Sequence, residues 1–199
     1  MSDDHTHVQE FFTARAAGWD SRFPDDGPAY AAAVAESGLR AGDRVLDAGC
    51  GTGRALPPLR AAVGPSGTVL GLDLTPAMLQ AAVRAGRQRD GLLLLADVAA
   101  LPLRGESLDA VFAAGLIAHL PEPARNLREL ARVVRPGGTL ALFHPVGRAA
   151  LAARQGRRIT SDDLRAEGNL GPLLARSGWH LTSYVDEDAR FLALAVREA

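Results

Sequence analysis

The sequence predicts an α/β fold, a mainly parallel sheet with helices on both faces, and three observations predict it. Short, continuous apolar runs recur between residues 45 and 143, as in strands buried on both faces. Segments with apolar residues at helical spacing lie between them, so strand and helix alternate. The last two strand-like runs, residues 179–185 and 190–196, are joined only by Asp186-Glu187-Asp188-Ala189. That link is too short for a helical crossover, so the two strands must be antiparallel neighbours.

Taken in order, Val8, Phe11, Phe12, Ala16 and Trp19 recur at helix-like spacing across residues 5–20. A polar, proline-containing break over 21–28 precedes a second helix at 29–37, stopped by Gly38. These two helices either cover the open end of the sheet or pack against its side. Trp19, Phe23 and Tyr30 lie where a bound ligand could be covered, or where rings would fill the core. The first strand ends in Val45-Leu46-Asp47-Ala48 and breaks into a loop with glycine at every second position: Gly49, Gly51 and Gly53. Alternating glycines allow turns closed to other residues and let a ligand approach the main chain. A helix over 54–63 would aim the loop's N–H groups at that ligand.

Strand and helix then repeat. Residues 68–72 form a strand ending at Asp73, and 76–87 a helix with proline in its first turn. Residues 92–96 form a strand ending at Asp97, and 108–113 one ending in the small residues Ala114 and Gly115. Leu127, Leu130, Val133 and Val134 carry a helix over 123–135, which Pro136-Gly137-Gly138 stops before a fifth strand at 139–143. Residues 147–158 read as an Ala/Arg-rich helix whose Arg148, Arg154, Arg157 and Arg158 form a solvated basic face. Ser161-Asp162-Asp163 reads as the N-cap of a helix running through Leu174 and Ala175, weakened by Gly168 and Gly171-Pro172.

Composition excludes several classes. A length of 199 residues, 47% apolar content and a net charge of −1 fit one globular domain. Balanced charge leaves no electrostatic footprint for nucleic acid, and no apolar run is long enough to span a bilayer. The acidic, polar N-terminus lacks a secretory pattern, so the expected location is the cytoplasm. A single cysteine, Cys50, rules out an internal disulfide framework and a cysteine-based zinc site, and no metal is expected. All 22 basic residues are arginine, which removes P-loop and Schiff-base lysines.

A glycine loop after a first strand suits dinucleotides and S-adenosylmethionine. In the dinucleotide fingerprint G-x-G-x-x-G, the third glycine stands one residue later than Gly53 does. Asp47, directly before the loop, would repel a pyrophosphate but suit an ammonium group. Asp73, twenty residues after Gly53, can accept hydrogen bonds from ribose hydroxyls of either ligand. Asp97 either accepts from an adenine amino group or closes a local turn.

Residues 45–53, 71–79, 96–102, 108–120 and 130–142 resemble, in order and spacing, the motifs of class I S-adenosylmethionine-dependent methyltransferases. They are most similar to the small-molecule branch that includes ubiquinone/menaquinone-biosynthesis-type enzymes. The resemblance implies a Rossmann-like, seven-stranded sheet of order 3-2-1-4-5-7-6 with the last strand antiparallel. It implies one domain, with helices of residues 1–40 covering the site of a core at 41–199. It also implies S-adenosylmethionine as cofactor, S-adenosylhomocysteine as product and a small-molecule acceptor. Carried over, Asp47, Ala48, Gly49, Cys50 and Gly51 form the cofactor loop, with the methionine end at Asp47, Gly49 and Gly51. Asp73 would hold the ribose, Leu74 and Met78 would flank adenine, and Asp97 and Val98 would meet its edge. Ala114 and Gly115 would offer backbone near the methionine and ribose. Met78 can equally be core filling.

A methyl group on a sulfonium is already activated, so the protein must chiefly align the acceptor and exclude water. Residues 113–116, Ala-Ala-Gly-Leu, lack the Asn/Asp-Pro-Pro-Tyr/Phe signature of enzymes that methylate DNA or glutamine amines. His119 and His144, just past the fourth strand and at the end of the fifth, are the candidate bases. Without a large insertion between Pro145 and Thr160, the acceptor pocket must come from that segment and the N-terminal helices. A cofactor-binding module without catalysis and, less favoured, a dinucleotide-dependent oxidoreductase remain as alternatives.

Overall fold

A computed structural model describes residues 3–199, with side chains from Thr6 onward. Its seven-stranded sheet has the order β3-β2-β1-β4-β5-β7-β6. The strands are β1 (Arg44–Ala48), β2 (Thr68–Asp73), β3 (Leu92–Leu95), β4 (Leu108–Ala114), β5 (Val134–His144), β6 (Trp179–Glu187) and β7 (Arg190–Arg197). Neighbours from β3 to β5 pair in parallel, whereas β7 runs antiparallel to both β5 and β6. The expected order and the reversed last strand are both present. β1 pairs Asp47 with Gly71 of β2 on one side and with Phe112 of β4 on the other. Strand order reverses there, and a crevice opens at the carboxyl ends of such strands.

Eight α-helices complete the described residues: α1 (Asp3–Thr13), α2 (Trp19–Arg22), α3 (Gly27–Glu36), α4 (Leu56–Val63), α5 (Pro76–Arg84), α6 (Pro123–Val133), α7 (Arg148–Arg154) and α8 (Glu167–Ala175). The sheet separates two apolar cores. On one face Leu127 and Leu130 of α6 and Leu170, Leu173 and Leu174 of α8 pack with Leu46, Val111 and Leu140. Trp179 is fully buried in this core, and its indole N–H reaches the Leu127 carbonyl at 2.9 Å. On the other face Val34 of α3 and Leu56, Leu59 and Val63 of α4 meet Val45, Phe112 and Phe143. Burial on both faces explains why the central strands are apolar throughout. Among the described residues no helix is long and apolar enough to cross a membrane.

Several boundaries differ from expectation, each for a local reason. The helix after the glycine loop starts at Leu56 rather than Arg54, because turn bonds from Gly53 N–H to Cys50 and from Leu56 N–H to Gly53 extend the loop. β3 stops at Leu95, so Asp97 lies in the following turn rather than at the strand end. The helix expected from Ser161 begins only at Glu167: the Asp163 carboxylate accepts the Arg165 N–H at 2.9 Å and folds residues 163–166 into a turn. The basic face of α7 is not uniformly solvated either. Arg148 is largely buried between Asp163 and Asp186, at 3.5 and 2.9 Å.

Candidate active site

The glycine loop takes its shape from three left-handed residues, with φ of +69° at Gly49, +56° at Gly51 and +80° at Gly53. A Cβ on Gly49 would stand 2.9 Å from Leu116 Cδ1, whereas one on Gly51 would meet nothing within 4 Å. The loop therefore packs tightly at its first glycine and is open at its second. The Cys50 N–H donates to the Leu72 carbonyl at 2.8 Å, and the Gly51 N–H to Asp73 Oδ2 at 2.8 Å. These bonds place the ends of β1 and β2 side by side.

The two carboxylates there differ in their partners. Asp73 also accepts the Thr75 N–H on Oδ1 at 2.8 Å. Burial raises its pKa, and the N–H bonds oppose the rise. Asp47 is 1% exposed, and neither of its carboxylate oxygens has a hydrogen-bond partner. Burial, reinforced by the charge of Asp73, pushes its pKa up to about 8. Burial likewise raises the Cys50 thiol, which leaves it unreactive as a nucleophile.

These groups line one continuous cavity of about 570 Å³. Asp47, Gly49, Cys50, Gly51, Asp73, Leu74, Met78, Asp97, Val98, Ala114 and Gly115 all reach it, together with His119 and His144. Ala48 does not: the alternation of β1 turns its side chain into the apolar core. Met78 lines the cavity while being almost fully buried, so the core and contact readings both hold for it. Asp97 accepts the Ala99 N–H at 2.8 Å, closing a turn at the cavity wall.

His119 lines the cavity and is solvent-exposed, partly desolvated by the walls around it, with its ring edge-on to Phe12 at 5.1 Å. Burial and the nearby charge of Arg165 lower its pKa. Burial lowers His144 as well, against a hydrogen bond to Val146 that raises it. Nδ1 of His144 lies 2.7 Å from the Val146 carbonyl and 3.1 Å from the Val146 N–H. We assign the shorter contact, in which Nδ1 donates, and that tautomer leaves Nε2 able to accept a proton.

Side chains of the N-terminal helices line one wall of the cavity. Phe12, Trp19 and Phe23 run ring against ring at 5.6 and 5.3 Å, and Tyr30 meets Phe143 at 5.1 Å. Polar contacts tie these helices to the glycine loop and its flanks. Thr52 Oγ1 donates to Asp20 at 2.6 Å, Arg87 pairs with Asp20 at 2.8 Å, and Gln9 Nε2 donates to the Leu74 carbonyl at 2.7 Å. Arg54 pairs with Asp26 at 3.2 Å and donates to the Phe23 carbonyl. None of these pairs has a local sequence signal, since their partners stand far apart in the chain. The same holds for Asn126, which lines the cavity from α6 at 2% exposure with Oδ1 unpartnered.

Residues 46–142 match a family model described as a methyltransferase domain. Over this segment the chain is similar to that methyltransferase family. Its relatives include an aklanonic acid methyltransferase of a Streptomyces species, 35% identical over 54% of this chain and 50% of that protein. Another is a ubiquinone/menaquinone biosynthesis C-methyltransferase of Syntrophotalea carbinolica, 40% identical over 56% of this chain and 48% of its own. A solved S-adenosylmethionine-dependent methyltransferase from Aquifex aeolicus superimposes with a TM-score of 0.68 at 26% identity, over 84% of this chain and 89% of that one. The chain spans only 31–50% of the length of the curated relatives it matches. The glycine loop lies at the start of the matched segment.

Proposed function

We propose that this protein transfers the methyl group of S-adenosylmethionine to a small organic acceptor, within one domain in which residues 1–40 cover a core at 41–199. The observation that carries the reading is the Asp47 carboxylate, buried, unpartnered and lining the cavity beside an open glycine loop. A buried acid with no donor needs a cation or donors to ionise, and an amino-acid ammonium supplies both. A pyrophosphate would add like charge to the same place. The residues present thus fit S-adenosylmethionine better than a dinucleotide.

In this reading Asp47 and the Gly49–Gly51 backbone bind the methionine end. Asp73 keeps lone pairs on both oxygens for the ribose diol. Leu74, Met78, Asp97 and Val98 surround the adenine, and Ala114 and Gly115 provide main chain beneath the methionine. The bound cofactor supplies a methyl group already activated by a sulfonium. The protein then has to position the acceptor, exclude water and, where the acceptor atom carries a proton, remove it. The aromatic cover excludes water, and alignment of this kind can supply roughly 7–11 kcal/mol at best. Lowered pKa values keep His119 and His144 neutral, as a base must be. His144 is the better base, because its Nδ1 is anchored and its Nε2 is not. A single, buried cysteine supports a cytoplasmic setting.

Calorimetry with S-adenosylmethionine, S-adenosylhomocysteine and NAD tests the reading. Binding of the first two and not the third is expected. Failure of both to bind would overturn it, and binding of NAD alone would favour an oxidoreductase.

A further inference from the structure

The cavity has two chemically different ends. Over β3, β2 and β1 its lining contributes the carboxylates Asp47, Asp73 and Asp97. Over β4, β5 and β7 it contributes His119, His144, Val146, Phe191 and, from α7 and the segment beyond, Leu151, Arg154, Arg157 and Arg165. Asp26 also lines the cavity, and its charge reaches His144, but it is paired with Arg54 at 3.2 Å. Arg165 is paired with Asp163 at 3.3 Å. Arg154 and Arg157 have no carboxylate partner among the described residues, and the one polar contact of the Arg157 guanidinium is to the uncharged Gln155 side chain.

These two arginines flank the turn that ends α7. The Arg157 N–H donates to the Ala152 carbonyl at 2.8 Å and the Gly156 N–H to the Ala153 carbonyl at 3.0 Å. Gly156 has φ of +64°. This is a Schellman turn, which folds the chain back across the last helical turn and satisfies its free carbonyls. Arg154 and Arg157 both remain exposed, and both line the cavity. Two exposed guanidiniums that line the cavity and have no carboxylate partner among the described residues form a receptor for anionic oxygens.

The opposite wall supplies the rest of the recognition. Phe12, Trp19 and Phe23 present contiguous ring faces and edges, and Phe12 also meets His119. Such a wall favours flat, apolar groups.

We propose that the acceptor is an aromatic acid, its ring against the Phe12–Trp19–Phe23 wall and its carboxylate on Arg154 and Arg157. This rests on the methyltransferase reading and names the substrate class of the same site. The acid group is a handle that orients the ring; the methylated atom lies deeper, by His119 and His144.

The test uses the full chain saturated with S-adenosylhomocysteine and titrated in a calorimeter with benzoate, naphthoate and anthracene carboxylate, each against its own carboxamide. At least one carboxylate should bind about tenfold or more tightly than its amide, a difference that shrinks as salt is raised. In R154Q/R157Q the preference should fall to within about twofold while S-adenosylhomocysteine binds as before, which also shows the variant folded. Equal binding of acid and amide, binding of no carboxylate, or a preference that survives R154Q/R157Q would each overturn the proposal. The wild-type comparison of acid with amide depends on no variant. Failure of S-adenosylhomocysteine to bind the wild type would instead overturn the methyltransferase reading beneath it.

Discussion

Asp47→Asn is the sharpest perturbation of this site, because asparagine copies the shape of the protonated acid and cannot ionise. In the folded, ligand-free protein the Asp47 pKa is about 8, against a reference value of 3.8. A raised carboxyl pKa means that the unfolded chain loses its proton first. Stability is therefore full below pH 3.8 and drains away as pH rises towards 8, at about 1.4 kcal/mol per pH unit. By pH 7 the loss is on the order of 4 kcal/mol, a large share of the stability of an ordinary domain. Urea denaturation of wild type and D47N at pH 5 and pH 8 reads it directly. D47N should gain on wild type by several kcal/mol, on the order of 3–4, between the two pH values. Binding should move the other way. If the ligand ammonium pairs with ionised Asp47, wild-type affinity for S-adenosylhomocysteine rises by up to about tenfold per pH unit below pH 8, and that slope is absent in D47N. A stability gap that does not change with pH, or equal binding slopes in the two proteins, would refute the reasoning.

Gly49→Ala combines a left-handed φ of +69° with a Cβ placed 2.9 Å from Leu116, so it should cost roughly 1–3 kcal/mol of stability and most cofactor affinity. Gly51→Ala carries only the backbone strain, and a melting comparison that ranks Gly51→Ala as the worse of the two would contradict this. Against an acceptor that must lose a proton, His144→Asn should lower turnover roughly 10²–10⁴-fold with little change in S-adenosylhomocysteine affinity. Because burial lowers the His144 pKa, the wild-type rate should hold as pH falls and drop only below the ordinary histidine value of 6.5.

What could be read along the chain was whatever is local. The apolar strands, the closing hairpin and the turn glycines each declare themselves within a few residues, and so does the run of acids Asp47, Asp73 and Asp97. The pairing of His119 and His144 in one cavity was legible too, since both follow strands on the same edge of the sheet. Long-range choices were not. Asp163 has the composition of a helix cap, yet two arginines, Arg148 and Arg165, draw its carboxylate into a turn. Arg154 and Arg157 are exposed, as a solvated face would be, but that they also line the cavity carries no local sign. Ala48 sits among cofactor-loop residues in sequence, but strand alternation sends its side chain to the core. Asp20 gives no sign of its bond to Thr52, 32 residues away.

That bond has a kinetic consequence. The wall of N-terminal helices is fastened mainly by Thr52, Arg54, Leu74 and Arg87, which belong to the glycine loop and its flanks. Whatever rearranges the glycine loop also loosens or tightens that wall. On the proposed methyltransferase reading, anchors set beside the glycine loop predict an ordered sequence: cofactor in, acceptor in, methylated product out, spent cofactor last. The predicted order of addition in a two-substrate steady state thus follows from where three side chains and one main-chain carbonyl are anchored.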